Sequence, residues 1–355
     1  VTQAATQVRR SRLARGAVLA LVLTAALLLG VVLSAVAGQL PITATEVIGS
    51  ILRAVGIDTG WAPDDAVIES TLWVVRFPRL VMGLMVGAAL AVAGAVMQAI
   101  FGNPLAEPGV VGVSSGAALG ASVSIVLGLT VLGSWSTAAF AFAGGLLAVL
   151  LVYFVSRASG RTEVVTLLLT GIAINAFGGA GLALLLFIGD TASREQIIFW
   201  QLGSLNASGW SEVLVVAVIA VVGLGVALLF ARKYDLFSLG ERAARHLGVN
   251  VEVLRVLSIL LVALLTGAAV AFCGIISFVG LVVPHIMRMA IGPAHRPLIL
   301  ASAVGGGVLM VFADLVARTM IPGADLPIGM LTSLIGGPFF FFLLYRARKQ
   351  SGGWA

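Results

Sequence analysis

The sequence predicts an all-α polytopic membrane protein with about ten transmembrane helices, and three observations predict it. Hydrophobic residues make up 60% of the 355 and charged residues only 10%, whereas a soluble domain carries about 25% charged residues. Apolar stretches of crossing length recur along the whole chain; about 20 apolar residues are needed to cross the hydrocarbon core. The basic residues collect at alternate flanks of those stretches, as cytoplasmic flanks do.

The spans are expected near 17–37, 78–100, 107–129, 137–156, 164–187, 210–231, 253–272, 275–290, 297–317 and 326–345. The first follows Arg9, Arg10, Arg12 and Arg15 and ends in Ala35-Val36-Ala37, which resembles a leader cleavage site. Its apolar run has 21 residues, longer than the roughly 7–15 of a leader's apolar core, so it is read as a retained span. The block 253–290 is uninterrupted by charge between Arg255 and Arg288. It is too long for one straight crossing at about 1.5 Å per residue, and both its ends are basic. It is therefore expected to go out and return, with Gly274 as the turn.

With both termini inside, 16 of the 21 basic residues fall on the inner side, and ten of the 15 acids share the outer side with the other five. The outer five are Arg53, Arg76, Arg79, Arg194 and Arg318. The expected organisation is one transmembrane domain over 1–355. Its parts outside the spans are an inner terminus at 1–16, outer loops at 38–77 and 188–209, and an inner region at 232–252. An amphipathic piece is expected near "TEVIGSILRAVG", and a short interfacial helix with Trp200 as anchor in "TASREQIIFWQLGSL". Glycines inside spans, such as Gly83, Gly87 and Gly94, suit close helix packing in lipid.

Composition also excludes functions. The formal charge of +6 is spread by topology rather than gathered on one face, so no nucleic-acid partner is expected. No Gly-Lys-Ser/Thr run occurs, so nothing cradles nucleotide phosphates in the usual way. Cys273 is the single cysteine, and the three histidines are not spaced to share a metal. No metal or cofactor is expected on this chain, and it is not read as an enzyme. Asp314 is the only acid well inside a span, with Arg318 four residues on, on the same helix face. An ion-coupled carrier carries more intramembrane ionisable groups than this. A self-powered carrier and a non-transporting scaffold are the rival classes, and the first would need titratable groups in its path.

Three stretches stand out. In "SLGERAARHLG" and just before it, Leu236, Leu239, Ala243, Ala244 and Leu247 fall on one helical face, and Glu241, Arg242, Arg245 and His246 on the other. Gly240 and Gly248 bracket it, the second placed as a C-terminal stop. Such a helix either rests on the membrane surface or docks a cytoplasmic partner, and a chain without its own engine needs such a contact. "FGNPLAEPG", 101–109, is a constrained turn in which Asn103 bonds its own backbone. Arg76 and Arg79 in "VRFPRL", with Arg318, lie outside against the charge rule. Arginine forks suit carboxylates on a docking partner.

The segments at 76–117, "LGERAARHLG" (239–248), "GIISFVGLVVPHIMR" (274–288), "AHR" (294–296) and "DLPIGMLTSLIGGPFF" (325–340) together resemble the FecCD-type permease family. Its members import ferric siderophores, haem and cobalamin through binding-protein-dependent ABC transporters. The resemblance covers essentially the whole chain. It implies a type II ABC importer permease fold in the bacterial inner membrane, with both termini cytoplasmic. It implies a homodimer, two cytoplasmic ATPase subunits that hold ATP and Mg, and a soluble binding protein outside. By the same resemblance, Leu239, Gly240, Glu241, Arg242, Ala244, Arg245, His246, Leu247 and Gly248 couple to the ATPase. Arg76, Arg79 and Arg318 receive acids of the binding protein. Asn103, Pro104 and Leu105, with Thr162, Glu163 and Thr166, constrict the inner end of a path between two subunits, which Thr170 and Asn175 line. Asp325 departs from the Glu that relatives often carry there. Haem is the first expectation for the cargo, ferric siderophore the second and cobalamin the third. His246, His285 and His295 all fall on the inner side, so none offers an axial iron ligand in the path.

Overall fold

The computed structural model describes residues 2–158 and 161–350. In order these form α1 (Thr2–Val36), α2 (Ala44–Ala54), α3 (Ala66–Ser70), α4 (Phe77–Phe101), α5 (Val113–Val126) and α6 (Ser136–Val155). A small hairpin follows, in which β1 (Arg157–Ala158) pairs antiparallel with β2 (Arg161–Thr162). Then come α7 (Val164–Ile188), α8 (Thr191–Leu202), α9 (Trp210–Phe237), α10 (Glu241–His246), α11 (Val251–Cys273), α12 (Val279–Ile291), α13 (His295–Thr319) and α14 (Ile328–Gln350).

Each of the ten expected spans contains one helix. Among the described residues, seven helices are long and apolar enough to cross a membrane, and three apolar ones are shorter: Val113–Val126, Val279–Ile291 and Ile328–Leu343. The third span, expected over 107–129, starts late because Pro108–Val111 forms a tight helical turn that ends at Gly112, φ 82°. The block 253–290 does break. α11 stops at Gly274, φ 69°, and its last carbonyl, on Cys273, accepts from Ser204 N at 2.8 Å. Helix resumes only after Phe278, whose φ of 67° is the left-handed region that a non-glycine residue seldom enters. The two-residue hairpin was not expected from the sequence.

Outside the spans, the amphipathic piece is α2. Thr43 Oγ1 accepts from Glu46 N at 3.3 Å, and the Glu46 carboxylate accepts from Thr43 N at 2.7 Å. This reciprocal pair satisfies two of the backbone donors at the helix start. α8 is the short helix expected in this loop, begun by Asp190, whose carboxylate accepts from Ser193 N at 2.7 Å. That bond holds the Asp190 carboxyl below its ordinary value. Trp200 is half-buried and packs beside Val270 and Ala271, so here it ties α8 to the bundle.

α4 forms the centre. A Cβ on Gly87 would overlap the Gly306 carbonyl of α13, and one on Gly94 would overlap the Gly280 carbonyl of α12. Only glycine lets these backbones approach so closely. Around this spine the alternating helices give the bundle two ends. One carries Arg79 and the end of α1; the other carries α10, the 102–107 turn and the β1–β2 hairpin. α7 lies at the flank, with large apolar residues such as Phe177 and Phe187 exposed on one side.

Candidate functional site

The first site is the Arg79 end. A π-helical turn, Thr71–Arg76, joins α3 to α4 in one continuous helix, so the expected outer loop 38–77 ends in helix from Ala66 onward, and just after that turn stand Pro78 and the inward-aimed Arg79. Its Nε lies 2.7 Å from Asp314 Oδ1, and its Nη1 lies 2.9 Å from Asp325 Oδ2 and also donates to Asn206. Arg318, one turn beyond Asp314 on α13, places Nε 3.3 Å from Asp314 Oδ2. Asp314 thus sits buried between two guanidiniums. A buried carboxylate needs such partners, because an unpaired charge in an apolar interior is costly.

Arg76 and Arg318 also close the end of α1. Arg76 Nη1 donates to the carbonyls of Ala35 at 2.5 Å and Val36 at 2.8 Å. Arg318 Nη1 donates to Ala37 O at 2.5 Å, and its Nη2 to Ser34 Oγ at 2.7 Å. Cations suit the negative end of the helix dipole. The three arginines are therefore largely occupied within the chain and do not project from it as free forks. They nevertheless line one open pocket of about 240 Å³ with Asp314, Asp325 and Gln39. Burial works to raise the Asp325 carboxyl, but the Arg79 hydrogen bond and charge outweigh it and hold the group below its ordinary value.

The second site is the opposite end. α10 is framed as expected by Gly240, φ 100°, and Gly248, φ 85°. Its faces differ from expectation. Ala244 is buried, but Leu239 and Leu247 are 64% and 56% exposed. Glu241 does not stand free: it accepts from the buried Arg255 of α11 and, at 3.1 Å, from Arg245. The reason is length. A helix of 6 residues has too few turns to bury two flanking leucines, and the nearest buried cation claims Glu241. The exposed face is instead Leu239, Arg242, Arg245, His246 and Leu247.

In the 102–107 turn, Asn103 Oδ1 accepts from Leu105 N at 2.9 Å, the local bond the sequence indicated; Asn103 and Pro104 are exposed. At the start of α7, Thr166 Oγ1 donates to Glu163 Oε2 at 3.2 Å; the Thr162 side chain lies outside the described residues. No hydrogen bond or ion pair joins the turn to Glu163 or Thr166 among the described residues. Thr170 Oγ1 donates back to Thr166 O at 2.7 Å. Asn175 accepts from Ser115 Oγ at 2.6 Å and donates to Gly109 O at 3.3 Å. Both face the chain's own helices or the edge of α7, while the open face of α7 is apolar, with Leu169 and Ile172 beside the phenylalanines.

Sequence reasoning missed three pairings here. Asp235 Oδ1 accepts from His295 N at 2.8 Å and sits 2.8 Å from His295 Nδ1, tying the end of α9 to the start of α13. Glu241 with Arg255 is the second, and Arg79 with Asp325 the third. Their partners are 60, 14 and 246 residues apart, so no local periodicity reveals them. The only hint was that charges are scarce enough for each to need a partner.

A helical membrane conduit with a polar site at each end and no phosphate-binding motif has the build of a transport permease. The FecCD transport family matches residues 26–346, and the chain belongs to that family. It is therefore a polytopic permease of the ABC importer type. The hemin transport system permease HmuU of Yersinia pestis is 43% identical over 79% of this chain and 85% of its own length. The cobalamin import permease BtuC of Halobacterium salinarum is 42% identical over 76% of this chain and 72% of its own. A solved metal-chelate type ABC transporter in an inward-facing conformation superposes with a TM-score of 0.77 at 34% identity, covering 91% of this chain and 97% of that one.

Proposed function

We propose that this chain moves a bulky iron chelate, haem first and ferric siderophore second, across the bacterial cytoplasmic membrane, as one permease domain with both termini inside. Cobalamin is the alternative cargo. Two copies form the path, with the open face of α7 as its wall and Thr170 and Asn175 at the wall's edge. The pocket of Arg76, Arg79 and Arg318 receives acids of an outer binding protein, one carboxylate adding to a site that already holds three cations and two anions. The 239–248 segment seats in a cytoplasmic ATPase subunit that holds ATP and Mg, one per copy. Asn103–Leu105 and Glu163 and Thr166, with Thr162, narrow the inner end.

The observation that carries this reading is α10. Two large leucines stand exposed beside Arg242 and Arg245 on a short helix rooted in the bundle by Glu241 and Arg255. Apolar anchors beside arginines are what a protein contact uses.

The test is uptake into vesicles holding the chain with the ATPase and binding protein encoded beside it. ATP-dependent accumulation of iron-labelled haem, exceeding that of a labelled siderophore or cobalamin, is expected. Arg245→Glu should cut uptake at least about tenfold while the protein stays folded. Glu241→Lys should instead lower thermal stability, because it opposes Arg255. Uphill uptake by the chain alone would overturn the proposal.

A further inference from the structure

We infer that the groove between α1, α2, the start of α4 and the start of α9 binds the acyl chain of a membrane phospholipid, drawn from the leaflet at the Arg79 end. The groove lies back to back with the arginine pocket. Ser34, Val75 and Arg76 line that pocket, whereas Val32, Val36, Trp73 and Phe77, from the same two segments, line the groove. It is open, measures about 340 Å³, and every residue lining it is apolar. Nothing in the transport reading above uses it.

Its walls are fixed, so it does not close on itself. α2 contributes Ala44, Ile48 and Ile51, which helical spacing places on one face, and the helix is pinned around that face. Val47 shares a buried cluster with Ala35 and Leu72. A Cβ on Gly49 would overlap the Trp61–Ala62 backbone, and Arg53 Nη1 donates to Pro63 O at 3.3 Å. Ser50 Oγ accepts from Trp73 Nε1 at 2.9 Å. Opposite, Trp73 meets Phe77 edge to face at 5.0 Å between ring centroids, with Trp210 at 6.4 Å on its other side. Trp210 Nε1 donates to Trp73 O at 2.8 Å. Both indole N–H groups are thus spent within the chain, and carbon faces the groove.

Ile48, Ile51 and Val32 remain 48%, 45% and 50% exposed there. Water is a poor occupant, because it needs polar partners that this lining does not offer. The occupant follows from what the groove adjoins. Its α1 wall continues a helical face that carries Leu21 and Leu28, both exposed, and only 6% of the apolar window of that span is buried. In a membrane permease such a surface meets hydrocarbon, and tryptophans gather at the level where acyl chains begin. A second copy is the weaker occupant, since the face proposed for pairing is on α7, which packs on α5, α6 and α8. With no charged residue in its lining, the site selects a hydrocarbon chain rather than a headgroup.

Native mass spectrometry of the purified full chain in mild detergent, titrated with dioleoyl phosphatidylcholine, tests this. One phospholipid per copy should persist at a detergent excess that strips the rest, and dioleoyl phosphatidylglycerol should be retained equally well. Dihexanoyl phosphatidylcholine, whose chains are too short to fill the groove, should not be retained. Ala44→Phe, which fills the groove from an exposed position, should lower the retained fraction at least about tenfold, equivalent to about two methylenes of lost burial. Should that variant fail to fold, Val32→Phe, from the α1 wall, should do the same. Leu21→Phe, on the same face of α1 but outside the groove, should leave retention unchanged. No retained lipid, a marked preference for one headgroup, or equal losses with Leu21→Phe and the groove variants would overturn the inference. So would a groove variant that splits a dimer without changing lipid retention, which would give the groove to a second copy. No ATPase, binding protein or chelate is present, so the outcome is independent of the cargo and of the coupling reading.

Discussion

α4 and α7 are each 25 residues long and strongly apolar, yet 78% of the apolar window containing α4 is buried by the chain itself and only 11% of that in α7. The difference is not in hydrophobicity but in what each helix sets opposite its neighbours. α4 presents glycines where α12 and α13 cross it, and one arginine where charges converge. α7 presents Phe177, Phe187 and Leu169, which stand exposed among the described residues. In lipid, apolar surface alone does not pull helices together, so close approach and polar pairs decide which helix becomes the centre.

The largest expected effect attacks the centre. Asp314→Leu leaves Arg79 and Arg318 without their shared buried partner and should cost about 3–5 kcal/mol, read as a lowered Tm in nanodiscs. An unchanged Tm would mean that the three side chains are not coupled as described. A smaller break comes from Gly94→Ala, expected to cost about 1–3 kcal/mol because the Gly280 backbone must yield. Gly179→Ala on α7 meets open space and should stay within about 0.5 kcal/mol. Should Gly179→Ala cost as much as Gly94→Ala, the open face of α7 is tightly covered in the membrane.

Phe177→Ala with Phe187→Ala sharpens the comparison. If two copies pair as proposed, the double substitution should lower the dimer fraction in native mass spectrometry while leaving the Tm of the single chain nearly unchanged. An unaltered dimer fraction would assign that face to lipid. The smallest effect is a pH effect at Asp325. Its carboxyl is held below the ordinary 3.8 in the folded chain. The Arg79–Asp325 contribution is therefore complete above about pH 3.8 and fades as pH falls through the lower folded value. Acid below about pH 3.8 should loosen the 320–327 segment in hydrogen exchange, and Asp325→Asn should abolish that acid sensitivity.

Much of this was legible in the sequence because bilayer thickness and the charge rule act locally. The ten apolar stretches, the break at Gly274, the glycine frame of α10 and the Asn103 turn all follow from short-range chemistry. The Asp314–Arg318 pair was legible from helical spacing. The exposure of Leu239 and Leu247 was not, because a short helix is buried or bared by what lies beneath it. Nor was the left-handed Phe278, whose sequence neighbours show no turn signal at that residue.

By itself the sequence determined that this chain is a helical membrane permease without a phosphate-binding motif, and which residues stand at its two ends. Tertiary structure decided what those residues hold. It closed Arg76 and Arg318 on the end of α1 and claimed Glu241 for Arg255. The physical reason is reach. Hydropathy and turn chemistry act over a few residues, whereas a buried charge or a backbone crossing is satisfied by whichever partner the fold brings near, up to 246 residues away.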